Sequence, residues 1–136
     1  MSTRRLAALL ALLELAVAAY LEIERARGRS VACPIGGGGC ETVQHSRYSH
    51  LAGIPLPVLG LIGAAIMFAT TLLRDPRART AALVFAFTGA LFSLYLAGLQ
   101  AFKIHAYCAW CLGSALIWIA LAATTAVGWY RVLPEE

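Results

Sequence analysis

Two pairs of cysteines carry the chemistry this chain is able to do. Cys33 and Cys40 bracket a run of four glycines, Cys33-Pro-Ile-Gly-Gly-Gly-Gly-Cys40. Cys108-Ala-Trp-Cys111 is a C-x-x-C that opens a long apolar segment, and the chain has no other cysteine. Two intervening residues let a pair close a disulfide within one helical turn. A helix start sets one sulfur beside unpaired backbone N–H groups and the positive end of the helix dipole, a setting in which reactive thiols occur. The alternatives for this pair are half of a zinc site or a structural disulfide. The glycines around Cys33 and Cys40 leave the backbone permissive, which suits a disulfide whose sulfur must swing into line for exchange. The alternatives here are a loop staple, or a zinc site using all four cysteines. The first pair is wider than the usual C-x₂₋₄-C of zinc ligands, so no metal is expected.

The elements that must position these thiols are helices in lipid. The chain has 136 residues, 60% of them hydrophobic and 13% charged. Soluble domains run at about 45–50% apolar and about 25% charged, so a bilayer protein is indicated. The net charge of +4 comes from residues scattered at the ends of apolar runs. They read as membrane-flank charges, and with no basic cluster a nucleic-acid partner is not expected.

Four apolar segments mark spans at about residues 6–23, 55–73, 80–102 and 106–130. A spanning helix needs about 20 residues. The last two pass easily, the second just passes, and the first is marginal and carries Glu14. The first is read as a retained helix, because its apolar run exceeds the usual signal-peptide core of about 7–15 residues. The expected architecture is all-α: one integral membrane domain over residues 1–136, a four-helix bundle. A long loop at about residues 25–54 carries Cys33 and Cys40 between helices 1 and 2; residues 74–79 form a tight basic turn, and residues 103–105 a short link. Small residues at four-residue spacing, Gly60 and Ala64 in the second span and Gly89, Ser93 and Ala97 in the third, predict close helix contacts.

Arginines fall on both sides of these spans, so charge alone orients the bundle weakly. The N-terminus and the short turn weigh most and place both termini in the cytoplasm. A pair of dithiols facing an oxidising, extracytoplasmic compartment agrees with that.

In combination, Cys33-Pro-Ile-Gly-Gly-Gly-Gly-Cys40, Glu41-Thr42-Val43, Ser46, Gly53-Ile54-Pro55-Leu56-Pro57, Gly60 and Cys108-x-x-Cys111 resemble the bacterial vitamin K epoxide reductase family. The resemblance covers nearly the whole chain. Oxidases of the disulfide bond formation protein B type also have four spans and two cysteine pairs, but with C-x-x-C in the first outer loop, the reverse of this order. What the resemblance implies is a relay. Cys33 would exchange with a thioredoxin-like protein, and Cys40 would pass electrons on through a transient disulfide with Cys108. Cys111 would face a quinone, ubiquinone or menaquinone, inside the bundle, with Ser46 near it. Ser46 serves equally as a polar cap on a short loop helix. Animal members carry Thr-Tyr-Ala after the C-x-x-C, where this chain has Ser114-Ala115-Leu116, which weakens an epoxide-reducing role. Some bacterial members continue into a fused thioredoxin-like domain; here a separate partner protein is expected.

The function expected is therefore a quinone-dependent thiol oxidase of a bacterial inner membrane that supports disulfide formation. The alternatives are a vitamin K epoxide or naphthoquinone reductase, and a non-enzymatic membrane module with structural disulfides or bound metal. Beside the cysteines, Trp110 and Ser114 are candidates for contact with quinone, Trp110 serving equally as an interfacial anchor. Trp118 is expected as packing or pocket wall. Glu14 either packs against a polar partner or lies on a proton path. Lys103 and His105 precede Cys108 closely enough to favour its thiolate.

Overall fold

The computed structural model describes residues 3–27, 50, 51, 53–73, 75–104 and 109–132. Four helices dominate: α1 (Thr3–Ala26), α2 (Leu56–Leu72), α3 (Pro76–Leu99) and α4 (Ala109–Val132). A two-stranded hairpin, β1 (His50–Leu51) and β2 (Ile54–Pro55), leads into α2. It pairs antiparallel, Leu51 opposite Ile54, and turns at Gly53, whose φ of 83° lies in the left-handed region that favours glycine. A π-helical turn, Gln100–Ile104, continues α3. Together these make an all-α membrane protein built on four helices.

α1, α3 with its π-helical extension, and α4 are each long and apolar enough to cross a membrane, while α2 is shorter at 17 residues. This reverses the expectation for the first two spans. The first helix is not marginal: it has 24 residues. Its apolar run is flanked by Thr3, Arg4 and Arg5 and by Glu22, Glu24 and Arg25, polar residues that keep helical geometry outside the apolar stretch. Arg25 closes onto Glu22 one turn earlier. α2 is bounded more tightly, by Pro55 and Pro57 at its start and by the extended Leu73 at its end.

The basic turn also differs from expectation. α3 begins at Pro76 rather than near residue 80, so Arg77 and Arg79 belong to its first turns. Asp75 accepts a hydrogen bond from the Arg77 N–H at 2.9 Å, and Pro76 occupies the first helical position, where a missing N–H costs nothing. Likewise the link expected at residues 103–105 is helical as far as Ile104.

α1 packs along α2 and α4, and α3 packs along α4, whereas α2 and α3 meet only sparsely. The buried face of α1 is Ala7, Ala11, Glu14, Ala18 and Leu21, alternating steps of four and three residues. The buried face of α3 is Ala78, Ala82, Ala86 and Ala90, one residue every turn. Small side chains at such spacing let helix backbones approach closely in lipid. The third-span stripe expected at Gly89, Ser93 and Ala97 is therefore displaced by this alanine stripe. In the second span, Ala64 is fully buried, and a Cβ on Gly60 would stand 3.2 Å from the Ala18 Cβ, so Gly60 marks a close approach of α2 to α1. Among the described residues Met67 and Leu121 are the largest apolar side chains that are fully buried, in a core shared with Ala11, Ala86 and Trp118.

Candidate functional site

Ser114 and Trp118 follow Cys111 at three and seven residues along α4, which sets all three on one helix face. That face looks into a cavity of about 430 Å³, inside the range of about 300–1,000 Å³ typical of small-molecule sites. Its walls are mostly apolar. α2 and α3, the two helices that meet sparsely, supply residues such as Leu59, Ile62, Phe92 and Leu96. The polar groups are few: Cys111, Ser114, Glu14, Thr88, Ser93 and the buried Gln100 of the π-helical turn.

The floor is the indole of Trp118. It lies in a slot that two glycines leave open. A Cβ on Gly63 would stand 3.1 Å from the ring, and a Cβ on Gly89 would run into it. Phe85 flanks the same ring, with centroids 6.2 Å apart. Gly89, expected to let two helices touch, instead makes room for this side chain.

Glu14 stands across from that face on α1. Ser114 Oγ donates to Glu14 Oε1 at 2.6 Å, and Trp118 Nε1 donates to the same oxygen at 3.3 Å. The carboxyl group thereby ties α1 to α4 beside the cavity. Its other oxygen, Oε2, is buried with no hydrogen-bond partner among the described residues.

Of the residues expected at the site, the structure brings Cys111 and Ser114 together on the cavity wall. Trp110 is not part of the wall. Successive residues of a helix diverge by about 100°, and Trp110 turns away from Cys111's direction to meet Tyr20 of α1, rings 5.0 Å apart and tilted by 47°. That contact supports a packing role at the start of α4. Cys33, Cys40, Ser46 and Cys108 lie outside the described residues, as do Lys103's neighbour His105 and the glycine run. Among the described residues no three His, Cys, Asp or Glu side chains converge as a metal site would require.

Sequence reasoning missed Gly63, Gly89 and Gln100 as site residues. The two glycines carry no signal until the helix that faces them is known. Gln100 did carry one: an amide within an apolar run is expensive in lipid and is retained where it faces a cavity or a partner.

The model of the vitamin K epoxide reductase family matches residues 5–126. A stretch of 44 residues is 46% identical to the thiol-disulfide oxidoreductase LTO1 of Arabidopsis thaliana; it makes up 32% of this chain and 12% of that protein. The matched segment is thus a small part of that relative's length.

Proposed function

The chain belongs to the vitamin K epoxide reductase family, and from that premise we propose that it is a quinone-dependent thiol oxidase. A membrane oxidoreductase role follows from the family. The finer reading rests on one observation: the Cys111 side chain lines a mostly apolar cavity large enough for a quinone ring, walled by helices that meet sparsely.

On this reading a reduced thioredoxin-like protein gives its electrons to the Cys33/Cys40 disulfide by thiol–disulfide exchange. Cys40 then attacks the Cys108/Cys111 disulfide at Cys108, and the disulfide re-forms between Cys33 and Cys40. This leaves Cys108 and Cys111 as a dithiol. When they close again, two electrons and two protons pass to the acceptor in the cavity. Quinone supplies an apolar two-electron sink that exchanges with lipid. The chain's own residues bind its ring between α2 and α3, exclude water with Phe92, Leu96 and the Trp118 floor, and set the Cys111 sulfur against it. In a bacterial inner membrane both termini would be cytoplasmic and the cysteines extracytoplasmic.

The test is turnover by purified protein with a reduced thioredoxin-like substrate and a short-chain quinone. Thiol and quinone should disappear one dithiol to one quinone. Cys33→Ala should stop turnover with the protein substrate and spare it with a small dithiol. Equal rates for wild type and Cys33→Ala with the protein substrate would refute the relay.

A further inference from the structure

We propose that Glu14 is a catalytic acid of the cavity: it carries a proton on Oε2 and gives it to the oxygen of the bound acceptor. The proposal rests on the oxidase reading and names a residue that the cysteine relay does not include.

The geometry assigns different tasks to the two carboxyl oxygens. An indole N–H only donates, and it points at Oε1, as does the Ser114 hydroxyl. Oε1 is therefore an acceptor twice over. Among the described residues nothing donates to Oε2, although it is buried, and Glu14 as a whole is 2% exposed. An ionised carboxylate buried within a spanning helix, with no cation against it among the described residues, is among the costliest arrangements a bilayer protein can hold. A neutral acid avoids that cost. With Oε1 accepting, its single O–H sits on Oε2 and still needs an acceptor. Glu14 lines the cavity with Cys111 and Ser114, and on this proposal the partner this hydroxyl lacks is a carbonyl oxygen on the occupant, reached when the carboxyl group turns from the enclosed position Oε2 takes in the structure.

A structural role alone does not account for the residue. Tying α1 to Ser114 and Trp118 takes one acceptor oxygen, which a glutamine also provides, with an NH₂ in the place of the second oxygen. What a carboxylic acid adds is a proton that can leave.

The step balances. As the Cys108–Cys111 bond forms, two electrons and two protons leave the thiols. Glu14 gives its proton to one acceptor oxygen, and one thiol proton restores the acid. The second thiol proton completes the other acceptor oxygen. The dithiol is oxidised, the quinone is reduced to quinol, and Glu14 ends as it began.

Glu14→Gln separates the two roles. Its amide oxygen accepts from Ser114 and Trp118, and its NH₂ offers a hydrogen bond in the place of Oε2 without giving up a proton. We expect the KM for quinone to change little and kcat to fall by about 10²–10⁴-fold, the usual contribution of a positioned acid. The second readout needs no turnover. Adding ubiquinone-1 to the oxidised wild-type protein should shift a carboxylic C=O stretch in the infrared difference spectrum, and Glu14→Gln should lose that signal. A variant that keeps the wild-type kcat, or a spectrum in which no carboxylic acid band moves on quinone binding, overturns the proposal. A wild-type protein that reduces no quinone overturns the oxidase reading, and this one with it.

Discussion

Two neighbouring stripes of small residues on α3 do opposite things. Ala78, Ala82, Ala86 and Ala90 are buried, and the last three share a core with Leu121 and Ala122 of α4. Gly89 and Ser93 lie a step round the helix and face the cavity. The first stripe closes the bundle. The second keeps it open, because without a Cβ at residue 89 the Trp118 ring fits against α3 and becomes a floor. A methyl group is therefore the difference between a helix contact and a binding site. The closed region is also pinned at the chain's start, where Arg4 donates to the Thr71 carbonyl and Thr3 lies close to Gly128. The cavity region has instead Glu14, Ser114 and Cys111.

Substitutions should divide along the same line. The largest loss of stability is expected from Leu121→Ala, which empties a fully buried site in the closed region. Unfolding in detergent should show about 2–5 kcal/mol lost, with the quinone KM unchanged. Gly89→Ala should cost less, about 1–3 kcal/mol, the range for overpacking. It should, however, displace Trp118 and raise the quinone KM, so kinetics and unfolding together tell the two regions apart. If Leu121→Ala raised KM as much as Gly89→Ala, the division would be wrong.

How far the sequence foretold this depends on whether one helix or two decide the feature. Cys111 was legible because a C-x-x-C opening an apolar run is a property of one segment, and Ser114 was named beside it as a candidate for quinone contact. Glu14 drew notice because a carboxyl group in an apolar run is costly wherever its helix lies. The slot around Trp118 was not legible, since it needs α2, α3 and α4 in register. The alanine stripe was missed for a related reason: alanine is common on every face of these helices, while glycine and serine stand out. The span lengths differ from expectation because a helix need not end where its apolar run ends: α1 outruns its apolar stretch through Glu22 and Arg25, and the Asp75–Pro76 cap starts α3 among arginines.

Smaller effects sharpen the comparison. Trp118→Phe keeps a ring in the slot and removes the donor to Glu14 Oε1. It should cost about 0.5–1.5 kcal/mol in unfolding. Asp75→Ala removes the α3 cap, far from the cavity in sequence and chemistry. A loss of about 1 kcal/mol is expected, with turnover unaltered.

The central claim is that the acceptor sits in the cavity lined by Cys111. Its most direct test is photolabelling of the purified protein with a photoreactive quinone analogue, mapped by peptide mass spectrometry and competed with short-chain quinone. The account predicts competable labelling on the α3 stretch from Gly89 to Leu96 and on α4 between Cys111 and Trp118. Competable labelling that avoids both stretches and falls instead on the outer faces of the helices, at residues such as Val84 or Tyr130, would contradict it.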